Sequence, residues 1–306
     1  WKQHTRGEYL QHMVSYVLRD GGRCGHDLVC TEVLMLGASG VLFMYGRDAT
    51  CVSEVCVKFI PNRWSAPEGL RLCGCVVTHS ARVEGRLQVM DAGENDLWSF
   101  HATMAVARDA ATRRPDDARL SRALGVEVMR FRAAARFIVA GVLELVQHGV
   151  VMTDVKSENV VVWRRDVGGD EFKFCDIESF SELDGSSMHP SRCTFEPCKG
   201  CSRLGALTTA FATMCTAIDV ANNIVGPHEV VSFASLELDA ERPAEFALSH
   251  PFVVAASCSK NTNMSPFVWG LRALARHRVW GNQVADGVFV LSVLRKVEVE
   301  MNDLWA

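Results

Sequence analysis

Four polar side chains crowd into six positions of the chain: Asp154, Lys156, Glu158 and Asn159. The apolar stretch Gly149, Val150, Val151 precedes them, and a second apolar run, Val160 to Val162, follows at once. The cluster therefore reads as a loop between a long helix and a strand. In such a loop one carboxylate and one amide oxygen can face a shared point. That point suits a hard divalent cation, which prefers oxygen ligands, or a substrate hydroxyl whose proton the carboxylate accepts. Lys156 can hold a negative group beside them. The bland alternative is an ordinary polar turn closed by an Asx cap.

Two other segments carry chemistry of the same kind. Phe172, Lys173, Phe174 and Cys175 read as a strand that ends in Asp176. An acid there, pointing into a cleft, can bind a metal; it can equally start a turn. Lys58 closes the run Val55, Cys56, Val57, Lys58. Strand alternation puts Cys56 and Lys58 on one side and the two valines on the other. The competing reading is an edge-strand lysine in solvent.

The elements that must position these residues follow from periodicity. Residues 30–60 hold apolar stretches broken by glycine, which predict two or three strands. Residues 76–90 predict a hairpin that turns at Glu84 and Gly85. Residues 125–147 repeat apolar positions at spacings of three and four around an alanine-rich centre, which predicts a long helix. Short apolar runs at 160–163 and 172–175 flank a turn, and the segment from 203 onward is again helical. Strands first and mostly helices after argue an α+β chain or two lobes about a cleft.

Bulk properties narrow the classes. The chain has 306 residues, 48% of them hydrophobic and 22% charged, enough for a substantial core. A net charge of −4 and a pI near 6.2 give no broad basic field, so no nucleic-acid partner is expected. The basic run at 272–280 reads as a solvated helix face rather than a nucleic-acid site. No run of about eighteen apolar residues and no secretory leader is visible, so no membrane association is expected. Twelve irregularly spaced cysteines predict free thiols in a reducing intracellular compartment, cytoplasmic or nuclear. A first residue of Trp leads to the expectation of a fragment or processed form, whose upstream segment could carry targeting signals.

Together these segments resemble the eukaryotic-type protein kinase family. Its catalytic loop, His-Arg-Asp-x-Lys-x-x-x-Asn, is similar to Met152 through Asn159, and its Asp-Phe-Gly to Asp176, Ile177, Glu178. Its Val-Ala-Ile-Lys strand looks like Val55 to Lys58. The segment from Leu87 to Phe100 resembles the hinge and following helix, with Met90 as gatekeeper and Asp91, Ala92 and Gly93 as the adenine-binding hinge. The segment 236–253 resembles the family's Arg-Pro and His-Pro-Phe stretch, which would make Arg242 the partner of Glu196. The resemblance covers about residues 30–252. It implies a two-lobed fold: an N-lobe antiparallel sheet plus one helix at 30–92, and a mainly helical C-lobe at 93–252. Extensions at 1–29 and 253–306 flank it, the latter packed on the larger lobe, and a partner could dock on either.

The resemblance implies an ATP- and Mg²⁺-dependent kinase acting on protein substrates. Asp154 would accept the substrate proton, Lys156 would contact the γ-phosphate as in serine/threonine kinases, and Lys58 would bind the α- and β-phosphates. Asn159 and Asp176 would hold Mg²⁺. Glu68 is the expected helix-C partner of Lys58; its other reading is a capping box with Ser65. Gly37 and Gly40 remain of the glycine loop, with Ser39 and Leu42 where family glycines are expected. Thr153 replaces the family arginine, so activity is expected not to require activation-loop phosphorylation. The aspartate that supports the family's catalytic loop is missing near Gly200. The trimming after residue 205 looks like the divergent kinases of large DNA viruses, herpesvirus-like ones included, which would place the protein in a host cell. The rival from another class is a pseudokinase scaffold that binds partners or nucleotide without transfer; a small-molecule kinase is a third reading. His189, Cys193, Cys198 and Cys201 either bind Zn²⁺ or are loose thiols.

Overall fold

A computed structural model describes residues 29–36, 40–46, 55–59, 65–82, 87–164, 169–183, 205–224, 254, 258, 260–277 and 283–306. The α+β class expected from the sequence is the class observed. The chain divides into two compact units, Trp1–Ser65 with Val77–Glu94, and Ala66–Val76 with Asn95–Ala306.

The first unit carries one antiparallel sheet of five strands: β1 (Val29–Leu36), β2 (Gly40–Gly46), β3 (Val55–Phe59), β4 (His79–Arg82) and β5 (Leu87–Asp91). Their order is β1-β2-β3-β5-β4, so β3 is central. The β-branched and aromatic runs of these segments suit a pleated, half-buried surface. Alternation sends Phe43, Tyr45, Val57, Leu87 and Val89 to one face, where they form a core joined by Cys30, Val55 and Phe59. The predicted 76–90 hairpin is the β4–β5 pair, with Arg82 opposite Leu87.

Helices dominate the second unit: α1 (Leu97–Arg113), α2 (Ala118–Gln147), α3 (Ala206–Asn222), α4 (Ser265–Ala275) and α5 (Gln283–Trp305). Asp96 caps α1 by accepting from the Ser99 amide at 2.7 Å. Asp117 caps α2 by accepting from the amides of Arg119 and Leu120. The second cap explains why α2 starts seven residues before the periodicity predicts. A capping carboxylate satisfies orphan amides at a polar N-terminus where no apolar stripe is needed. From Phe131 onward α2 buries Ala134, Ala135, Ile138, Val139, Val142, Leu145 and Val146. Each large aliphatic among them contributes about 1.5–3 kcal/mol by leaving water.

Every residue of α3 except Asp219 is buried, with α2, α4 and α5 packed against it. Gly205 begins α3 at φ 46°, and a Cβ there would meet the Leu183 carbonyl oxygen at 2.8 Å, so only glycine fits. The C-terminal segment, expected to be helical and to pack, is α5. Its Trp305 indole donates to Asn263 Oδ1 at 2.9 Å, and its carbonyl accepts from Arg136 at 3.1 Å.

Short strands complete the helical unit. β6 (Asn95–Asp96), β8 (Val160–Trp163) and β9 (Glu171–Phe174) form one small sheet, and β7 (Val150–Met152) pairs with β10 (Phe180–Glu182) in another. Cys30, Cys56, Cys73, Cys75, Cys175, Cys215 and Cys258 are free thiols. Among the described residues no helix is long and apolar enough to cross a membrane.

Candidate functional site

The loop that opened the sequence reading runs from β7 to β8, closed by a short 3-10 turn over Ser157–Asn159. It is built inward rather than left in solvent: Asp154 is 6% exposed and Asn159 7%. The Asn159 amide nitrogen donates to the Asp154 carbonyl at 2.8 Å and lies 3.4 Å from its Oδ2. With its nitrogen so committed, Asn159 keeps Oδ1 as the end able to meet a cation. Lys156 Nζ sits 2.7 Å from Asp154 Oδ2. Partial burial pulls the Lys156 pKa down, but the Asp154 carboxylate, with Glu158 and Asp176 adding to it, outweighs that and holds the ammonium above the usual lysine value. An ordinary solvated turn with an Asx cap does not describe this arrangement.

Asp176 reaches the same neighbourhood through the β8–β9 hairpin. Val160 pairs with Phe174, and the Cys175 amide donates to the Asn159 carbonyl at 2.9 Å. The acid at the strand end is therefore fastened beside the amide of the loop, and its charge is felt by Lys156. Asp176 has φ 58° and ψ 55°, the only non-glycine with positive φ among the described residues. An aspartate in this left-handed conformation costs about 1 kcal/mol, and strained backbone of this kind clusters at functional sites. After it, Ile177 is fully buried and Glu178 is 6% exposed.

In the sheet unit, Lys58 is 3% exposed on the central strand, which rules out the edge-strand, solvated reading. It lies opposite Leu42 on β2 and Gln88 on β5, and Cys56 lies opposite Met90. Directly opposed residues share a face. Lys58, Gln88, Cys56 and Met90 thus form one strip on the side away from the apolar core, and all are buried. Asp91 ends β5, its amide bonded to the Thr78 carbonyl, and Gly93 follows half-buried.

Glu68 opens a five-residue 3-10 helix, Glu68–Leu72, in the segment that packs with the helical unit. Its side chain is exposed, and its amide donates to Glu182 Oε1 at 2.8 Å. The expected capping box is not formed: Pro67 is the N-cap and has no hydroxyl to offer. Nor is a regular helix formed between β3 and β4 within residues 65–78, because Gly69 and Gly74 interrupt so short a run. Gly40 starts β2 opposite Leu36. Gly37, Glu196, Arg242 and the set His189, Cys193, Cys198 and Cys201 lie outside the described residues. Among the described residues no group of three or more His, Cys, Asp or Glu side chains is arranged to hold a metal ion. A magnesium site of one amide, one carboxylate and substrate phosphate oxygens has a different composition.

Other residues hold the loop: Thr153 was singled out from sequence only as the replacement of a family arginine, and the threonines of α3 were not singled out. Thr153, 3% exposed, uses both amide and hydroxyl on the Ser179 carbonyl, at 2.9 and 3.0 Å. Thr209 and Thr216 of α3 reach the carbonyls of Met152 and Val155. The available signal was a row of threonines at 209, 213 and 216 in a largely apolar helix. On the flank, His101 and Asp219 approach to 4.0 Å. Burial lowers His101 to about 4 although Asp96 opposes it, and burial raises Asp219 to about 7 with help from Glu158. Between those values both are neutral, so the short distance is not an ion pair.

No protein-family model matches the chain, and no curated protein matches it in sequence.

Proposed function

We propose that the protein is a serine/threonine protein kinase, transferring the γ-phosphoryl group of ATP to protein hydroxyls, with its two units serving as the two lobes of a kinase fold. The observation that carries this reading is the buried loop in which Asp154 is held by Asn159 and Lys156 while Asp176 is fastened alongside. The buried lysine on the central strand, with Met90 on the same face, supports it further.

In this reading Asp154 orients the substrate hydroxyl and accepts its proton as the oxygen–phosphorus bond forms and the bond to the departing ADP breaks. Lys156 neutralises charge on the transferring group, and Lys58 anchors the other phosphates. Asn159 Oδ1 and the Asp176 carboxylate would hold Mg²⁺, which supplies charge neutralisation at the phosphates. Positioning and electrostatics carry most of such a reaction, so a loop fixed by internal hydrogen bonds suits it. Glu178, buried where the family has glycine, is a departure that favours the second reading, a nucleotide-binding scaffold without transfer.

The test is transfer of radiolabelled phosphate from ATP to a generic basic protein. Asp154→Asn should cut incorporation by about 10²–10⁴-fold, the usual worth of a positioned base. Equal incorporation by both proteins would remove the enzymatic reading, and nucleotide binding without transfer in the wild type would select the scaffold.

A further inference from the structure

We infer that Thr209 and Thr216 are positioning residues that clamp the Asp154 loop to α3 from both sides; the inference rests on the kinase reading for its catalytic consequence. Thr209, Thr213 and Thr216 recur at spacings of four and three, which puts them on one face of the helix. All three are fully buried. Thr209 Oγ1 lies 3.1 Å from the Met152 carbonyl and 3.0 Å from that of Gly205. Thr216 Oγ1 lies 2.8 Å from the Val155 carbonyl and 2.9 Å from that of Ala212.

A hydroxyl has one proton to give. The Gly205 carbonyl already receives the Thr209 backbone amide at 3.1 Å, and the Ala212 carbonyl has the helical amide four residues on. The carbonyls in greater need are those of the loop. Met152 and Val155 are fully buried, so water does not replace the hydroxyls. These two residues bracket Thr153 and Asp154, so the catalytic backbone is gripped immediately before and immediately after. The grip comes from a helix buried along its whole length except at Asp219. Thr213 differs: its hydroxyl donates to the Thr209 carbonyl at 2.6 Å and stays within the helix. It is the built-in control for a threonine that is merely buried.

The experiment compares Thr209→Val, Thr216→Val and Thr213→Val with the matching serine variants. The clamp predicts kcat down about tenfold for the first two, because a buried carbonyl is left without a donor, while KM for ATP stays within about twofold. Thr209→Ser and Thr216→Ser should restore kcat, and Thr213→Val should leave it unchanged. Hydrogen exchange of peptides covering residues 150–159 should be about tenfold faster in the two valine variants and normal in the serine ones. Thr216→Cys keeps the volume with a weaker donor and reads the same quantities if the valine variant does not fold. Unchanged exchange in Thr209→Val and Thr216→Val, or an equal effect of Thr213→Val, would overturn the clamp. Loss of transfer activity in every protein, wild type included, would instead sink the kinase reading, while the exchange data still judge the clamp.

Discussion

At the scale of single residues, the pair His101 and Asp219 makes a specific statement about pH. His101 has its folded pKa depressed from 6.5 to about 4, so the unfolded chain binds the extra proton between those values. This residue therefore removes stability as pH falls through that window. Asp219 has its folded pKa raised from 3.8 to about 7, so the folded chain holds the extra proton and gains stability over nearly the same window. The two slopes oppose each other, and the wild type should be flat between about pH 4.5 and 6.5 as far as this pair is concerned. Asp219→Asn leaves the histidine alone, and unfolding free energy should then drop on acidification by up to about 1.4 kcal/mol per pH unit. His101→Asn should show the opposite slope. Urea titrations at several pH values measure both, and parallel curves for all three proteins would contradict the assignment.

At the scale of elements, the β8–β9 hairpin is the device that joins the loop to the strand-end acid. Its ladder ends with Cys175 bonded to Asn159, and the chain then turns sharply at Asp176 through a left-handed residue. Backbone and charge can be separated here by substitution. Asn tolerates the left-handed conformation, so Asp176→Asn should stay within about 0.5 kcal/mol of wild type while losing Mg²⁺-dependent transfer. A β-branched residue tolerates it poorly, so Asp176→Val should cost a further 1–3 kcal/mol by thermal or urea unfolding. Equal stability of the two variants would mean that the turn relaxes and that the strain is not held. The 3-10 segment Glu68–Leu72 shows an element failing to follow its sequence cue: Ser65 and Glu68 have capping-box spacing, but Pro67 starts the turn instead and Glu68 is left exposed.

At the scale of the whole molecule, a nucleotide that binds only the folded chain must stabilise it by mass action. Mg²⁺-ATP at a hundred times its Kd should add about 2.7 kcal/mol to the unfolding free energy. Lys58→Met should abolish that increment while leaving the nucleotide-free protein folded, since its neighbours on the strip include the apolar Cys56 and Met90. No stabilisation of the wild type by ATP, with or without Mg²⁺, would contradict both the kinase and the nucleotide-binding scaffold readings. Transfer to the basic protein then divides those two.

Much of the fold was legible because strand and helix periods are local properties. The alternation at Val55–Lys58, the apolar stripe of α2 and the short runs around β8 and β9 all appear where the sequence puts them. The cluster Asp154, Lys156 and Asn159 was legible for the same reason: its members are near neighbours in the chain. Sequence alone left open whether Lys58 faces solvent or the interior, and whether Asp154 sits in a plain turn. Tertiary structure decided both, because burial depends on which strand is central and which helix lies beneath a loop. It also decided what holds the loop. Thr216 is 61 residues from Val155 in the chain, and a hydroxyl meeting a distant carbonyl leaves no mark on local spacing until the helix is packed.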